Sequence, residues 1–212
     1  MVKQILAILK ELYPRARIEL DFGSVFQLVV AVILSAQCTD VRVNKVTPKL
    51  FERFPDAEAM AAAPLLEIEK LIFSTGFYRA KAQNIQAMAQ MLLADFGGEV
   101  PSTMAELLKL PGVARKTANV VLWSGFGKVE GVVVDTHVMR VCGLLGLVSA
   151  GAVLKKNAVV VEKELMKVLP RKEWGGFSHL IILHGRRVCV ARRPRCGECG
   201  LREICVGAKI RD

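Results

Sequence analysis

Leu110-Pro111-Gly112-Val113-Ala114-Arg115-Lys116-Thr117-Ala118 decides the fold. Thr103 and Glu106 have capping-box spacing for a short helix that ends near Leu110. Pro111-Gly112 turns the chain, and a second helix is predicted to begin directly after it. Gly112 permits positive φ and close backbone approach. The opening N–H groups of the second helix have no intrahelical acceptors, so they can bind a phosphate. Such a contact ignores base sequence, as a general grip on DNA requires. A Pro-Gly pair alone would serve equally well as a plain connector between helices.

Outward from this turn, helical periodicity dominates. Ile5, Leu9 and Leu12 share one face of a first helix that Pro14 ends, and Phe26 to Ser35 reads as a buried helix, although its β-branched residues also suit a strand. Val41, Lys45 and Lys49 mark the next helix, with Pro48 disturbing it. Pro64 starts another helix, and Ser74-Thr75-Gly76 breaks the pattern. Ala80 to Phe96 is a long Ala-rich helix closed by Gly97-Gly98. Val132 to Val134 is short and apolar, Asp135 can cap the helix that follows, and Leu154–Leu169 and Phe177–His184 are further helices. No segment alternates as a strand should, so the fold class is all-α.

The 212 residues are 52% hydrophobic, enough for a packed core. The formal net charge of +10 favours a polyanionic partner. No signal peptide or membrane-length apolar run is present, which predicts a cytoplasmic protein with reduced thiols. Cys189, Cys196, Cys199 and Cys205 are therefore expected to hold metal rather than to form disulfides. Zinc is the usual occupant of four cysteines, normally in paired Cys-x2-Cys knuckles; here only one such pair exists. Cys38 and Cys142 lie apart, in apolar surroundings, and are expected to be buried and inert. From Arg186 to Asp212 there are eight Lys/Arg against three Asp/Glu, so this segment carries +5 of the +10. Arg192, Arg193 and Arg195 lie between the first two cysteines, suited to phosphate contact or to a solvated basic loop.

Two residues carry candidate chemistry. Lys116 falls in the first turn of a helix, whose positive dipole end, with Arg115 beside it, opposes a further cation. A free amine there can attack a sugar C1′ and form a Schiff base, while a protonated one would simply bind phosphate. Asp135, in Val134-Asp135-Thr136-His137, is 19 residues further on. It can cap a helix, and its anion can also stabilise the positive charge that develops as a base leaves its sugar. His137 reads better as a capping or packing residue.

The hairpin with Lys116, the Val-Asp-Thr-His string and the spaced cysteines, in that order, resemble the endonuclease III family of DNA glycosylases. The resemblance runs from about Ile5 to Cys205. It implies a two-lobed helix–hairpin–helix glycosylase fold with a C-terminal iron–sulfur loop. Residues 18–129 would form a six-helix barrel domain with the hairpin, and residues 1–17 with 130–212 the cluster domain. The DNA cleft would lie between the lobes. The implied cofactor is a 4Fe-4S cluster on the four cysteines. The implied activity is that of a bifunctional glycosylase and AP lyase of base excision repair. Such an enzyme removes oxidised pyrimidines and nicks 3′ to the abasic site by β-elimination, with Lys116 as nucleophile and Asp135 supporting base loss. The implied partner is double-stranded DNA with damaged bases or abasic sites, bound by a nucleoid-associated monomer that touches no membrane. Gly112 and Ala114 would grip the backbone, although Ala114 stands where that hairpin usually has a second glycine. Gln37 would fill the space left by a flipped nucleotide. Phe77, where an aliphatic residue is common, would wedge the opposite strand or else be an ordinary core aromatic. Ser35 and Asp40 would line the base pocket. Adenine-removing relatives lack the lysine, and thymine-mismatch relatives typically have tyrosine there. A mismatch-specific glycosylase and a DNA-binding or redox-sensing iron–sulfur protein without lyase activity are the alternatives.

Overall fold

The computed structural model describes residues 1–209 and, among them, contains helices and turns but no strand. In chain order the helices are α1 (Val2–Leu12), α2 (Val25–Leu34), α3 (Asp40–Arg53), α4 (Ala57–Ala62), α5 (Leu65–Ile72), α6 (Tyr78–Phe96) and α7 (Met104–Leu107). They continue as α8 (Arg115–Phe126), α9 (Thr136–Leu144), α10 (Ala150–Leu154), α11 (Ala158–Val168), α12 (Trp174–Arg187) and α13 (Val206–Lys209). None of them is long and apolar enough to cross a membrane. The chain divides into two compact units, Glu19–Lys128 and Met1–Ile18 with Val129–Asp212.

The Glu19–Lys128 unit is built around α2. Ser24 caps it by accepting from the Gln27 N–H at 3.2 Å. Leu28, Val29, Val30, Ala31 and Leu34 are fully buried, each large aliphatic contributing roughly 1.5–3 kcal/mol. The β-branched run is thus a helix, because a cap and all-round burial outweigh its weak helix propensity. Against α2 pack α3, α6 and α8. α3 runs unbroken through Pro48, because Val43, Thr47 and Leu50 bury one face and their packing outweighs one lost backbone bond. α6 begins at Tyr78, ahead of the expected Ala80, and Gly97 closes it at φ 61. Sequence periodicity missed α4, which is short and capped by Asp56.

In the other unit, α9 and α12 pack together, and α1 joins them from the start of the chain. Ile5 and Leu9 are fully buried, but Leu12 is 47% exposed, so the first helix buries a narrower face than expected. Lys10 pairs with Glu173 at 2.8 Å, and the Tyr13 hydroxyl lies 3.1 Å from His184 Nδ1. The predicted Leu154–Leu169 helix starts late, at Ala158, because Leu154 instead ends the separate short helix α10. Lys156 turns at φ 51, and Asn157 caps α11 through the Val160 N–H. Asparagine favours caps over helix interiors, and here the cap prevails.

Candidate functional site

The hairpin forms between α7 and α8. Thr103 Oγ1 accepts from the Glu106 N–H at 3.3 Å, and the Val113 N–H bonds to the Leu110 carbonyl at 3.1 Å, closing the turn. Gly112 has φ 77, and a Cβ there would come within 3.1 Å of Asn84 Cβ and 3.4 Å of Ile33 Cδ1. Its conformation strains any side chain, and its close fit against α6 and α2 leaves little room for one. Ala114 stands at the N-cap with φ −90 and ψ 169 and makes no side-chain cap bond. That φ is open to any residue, so alanine replaces a glycine here without strain. The first backbone bond of α8 runs from the Ala118 N–H to the Ala114 carbonyl at 2.9 Å, leaving the amides of the opening turn ahead of it. Lys116 is on that turn and exposed.

Asp135 belongs to the other unit. Its Oδ1 accepts the Val138 N–H at 2.8 Å, which caps α9, and the residue is half-buried after three buried valines. His137, next but one, packs beneath Gly185, where a Cβ would lie 3.0 Å from its Nδ1. That nitrogen is buried without a hydrogen bond. Burial pushes the imidazole pKa down, Arg140 and Arg186 act in the same direction, and Asp135 and the Gly185 backbone oppose them. The packing role expected of His137 is the one it has.

Gln37 and Phe77 sit in two turns of the Glu19–Lys128 unit. Both are exposed, and both are left-handed, with φ 53 and φ 49. Phe77 is 68% exposed, which rules out the core-aromatic alternative. Ser35 and Asp40 flank the first turn. Ser35 Oγ donates to the Val32 carbonyl at 2.8 Å, and Asp40 opens α3 behind its cap, Thr39.

The four clustered cysteines line a single pocket with Val141, Leu144, Leu145, Val188, Pro194 and Leu201 as apolar walls. Cys199 Sγ lies 3.5 Å from His184 Nε2, and Cys205 Sγ 3.6 Å from the Leu144 carbonyl oxygen. Arg140 donates to the Cys189 carbonyl at 2.7 Å and the Gly185 carbonyl at 3.1 Å, tying α9 to the start of the loop. Burial pushes the Cys189 and Cys199 thiols up, and the neighbouring sulfurs add to the shift. Arg140 opposes it at Cys189, and the Leu201 backbone opposes it at Cys199. Thiols that repel one another's ionisation are relieved by bound cations. The four cysteines line one pocket, as ligands of a shared metal centre would. Arg192, Arg193 and Arg195 are exposed on the loop, and Arg195 also lines the pocket. Of the two outlying cysteines, Cys142 is fully buried and its thiol is pushed far up by burial, but Cys38 is only half-buried.

Lys81 was missed by the sequence reading. It is 5% exposed, and its ammonium donates to the Leu34 and Thr75 carbonyls, each at 2.8 Å. A signal existed: Lys81 falls on the buried stripe of Ile85, Met88 and Leu92 along α6.

An all-helical chain with such a hairpin and cysteine loop falls into a known class. The family model described as HhH-GPD superfamily base excision DNA repair protein matches residues 30–171, and that of the iron-sulfur binding domain of endonuclease III matches residues 189–205. The chain is 55% identical to endonuclease III of Synechocystis over 97% of its own length and 92% of that protein. It is 46% identical to endonuclease III of Bacillus subtilis, over 95% and 90%. A solved endonuclease III trapped as a covalent intermediate with DNA superposes with a TM-score of 0.92 at 44% identity, covering 99% of this chain and 96% of that one. The chain belongs to the endonuclease III family, the DNA glycosylases with AP lyase activity that remove oxidised pyrimidines in base excision repair. Its cofactor is a 4Fe-4S cluster.

Proposed function

We propose that this protein binds damaged duplex DNA as a monomer and cuts it through Lys116 and Asp135. Lys116 Nζ, once deprotonated, attacks C1′ as the glycosidic bond breaks and the base leaves with the bonding electrons. Asp135, whose carboxylate caps α9, stabilises the positive charge that develops on the sugar. Nζ then loses a proton and the C1′–O4′ bond opens, O4′ taking up a proton, which gives an iminium at C1′; this acidifies the C2′ proton, whose loss expels the 3′ phosphate and leaves a nick. Gly112, Ala114 and the opening amides of α8 hold a phosphate without reading sequence. Gln37 enters the space of the extruded nucleotide, Phe77 wedges the facing strand, and Ser35 and Asp40 line the pocket that receives the base. Cys189, Cys196, Cys199 and Cys205 ligate the cluster, which supplies a rigid frame for Arg192, Arg193 and Arg195 against the DNA backbone. In domain terms, residues 18–129 form the hairpin-bearing barrel, and residues 1–17 with 130–212 the cluster domain. The cytoplasm, at the nucleoid, is where such a substrate is met.

The observation that carries this reading is the exposed lysine on the opening turn of α8, directly after a hairpin that turns on Gly112 at φ 77. The test is borohydride reduction of the protein mixed with duplexes carrying thymine glycol or an abasic site. A covalent protein–DNA adduct is expected on both. Binding without adduct or nick would exclude the lyase chemistry and favour a DNA-binding iron–sulfur protein.

A further inference from the structure

We infer that Lys81 is a positioning residue that locks together the two turns carrying Gln37 and Phe77, so that both present their side chains to DNA from one rigid base. The inference rests on the reading of Gln37 and Phe77 as the inserting residues.

Lys81 projects from α6 into the interior of the Glu19–Lys128 unit. A buried ammonium is costly unless it is hydrogen-bonded, and this one has two short bonds. Their acceptors are informative. Leu34 is the last residue of α2, and Thr75 is the last residue of the 3-10 turn Phe73–Thr75. Carbonyls at helix ends lack intrahelical donors and lie where a cation is favoured. The ammonium therefore fastens two chain ends that are 41 residues apart in sequence. Three residues beyond Leu34 stands Gln37, and two beyond Thr75 stands Phe77.

Among the described residues, positive φ outside glycine occurs only at Gln37, Phe77 and Lys156. Such backbone persists only where its surroundings over-determine it. The two turns that hold these conformations share one anchor. A purely stabilising lysine has no reason to choose carbonyls leading into both. Burial pushes the Lys81 pKa down, and nearby Cys38 opposes this. Ser35 Oγ, bonded to the Val32 carbonyl, helps hold the first turn, and Thr75 Oγ1, bonded to the Ile72 carbonyl, the second.

The test is a double-mutant cycle in the cluster-loaded full chain. Its readout is the Kd for a duplex with a tetrahydrofuran abasic analogue opposite adenine. Lys81→Met keeps the length and removes the donors. It should weaken binding about tenfold in the wild-type background and less than about twofold when Gln37→Ala and Phe77→Ala are already present. Amide hydrogen exchange of the free variant should rise at residues 35–39 and 76–78 while α8 and α12 stay protected. Lys81→Gln, which keeps an amide donor, is run in parallel and should fall between; it carries the same cycle if Lys81→Met does not fold. Equal losses in both backgrounds, no loss in either, or exchange raised uniformly would make Lys81 a general stabiliser and overturn the inference while leaving the insertion reading intact. If Gln37→Ala with Phe77→Ala binds the analogue like wild type, the insertion reading falls, and this inference with it.

Discussion

Two helices in this molecule open in opposite ways. α9 begins on Asp135, whose carboxylate accepts an amide of the first turn, whereas α8 begins on Ala114 and has no side-chain cap. Ser24, Thr39, Asp56, Thr103, Ser149 and Asn157 cap other helices as Asp135 does. A capped opening carries its own acceptor, and at Asp135 that acceptor is a carboxylate. An uncapped one keeps its positive end for an anion from outside. The difference teaches that the same helix-end physics can serve both halves of a reaction. On the proposed reading, one end would receive the phosphate that positions the sugar, and the other would supply the charge that eases departure of the base.

The sharpest way to break this comparison is at Lys116. Lys116→Gln should abolish borohydride trapping, a loss of roughly a thousandfold or more, while tetrahydrofuran-duplex affinity stays near wild type. Trapping at the wild-type rate would move the nucleophile elsewhere. Asp135→Asn comes next. Its amide oxygen can still cap α9, so thermal stability should hold while base excision falls about a hundredfold. Asp135→Ala should lose the cap as well, at a cost of about 1 kcal/mol in denaturant unfolding. Full activity in the asparagine variant would leave Asp135 only its structural role. Ala114→Asp makes α8 resemble α9. It should stabilise the fold by about 1 kcal/mol yet weaken DNA binding about tenfold, because the new carboxylate occupies the amides. A stability gain with no loss of affinity would remove the opening of α8 from the interface. The smallest effects belong to Arg192→Ala and Arg193→Ala. Each should lower the slope of log affinity against log salt by about one and weaken all duplexes alike.

What the sequence disclosed was local. The Gly112 turn, the Asp135 cap and the cysteine spacing depend on residues a few positions apart, so their physics is written into short strings. Phe77 was half legible. A glycine before an aromatic marks a turn, but only the folded neighbours decide that the ring faces outward. Lys81 was hidden because a lysine in an Ala-rich helix reads as solvated. Its two acceptors come from segments 47 and 6 residues away and meet it only after folding. Pro48 and Leu12 misled for the same reason: packing, rather than propensity, decided that α3 continues and that α1 leaves Leu12 in solvent.

The pairing of α1 with α12 imposes an order on biogenesis. On the ribosome, the stretch Glu19–Lys128 can form the contacts internal to its unit once its own last residue emerges, and so can collapse early. Residues 1–18 must wait, because Tyr13 meets His184 and Lys10 meets Glu173 only after those later positions have been made. The Glu19–Lys128 stretch can therefore mature first, whereas the unit that residues 1–18 share with later residues closes only after residues 173–184 have been made, shortly before the Cys189–Cys205 loop follows them.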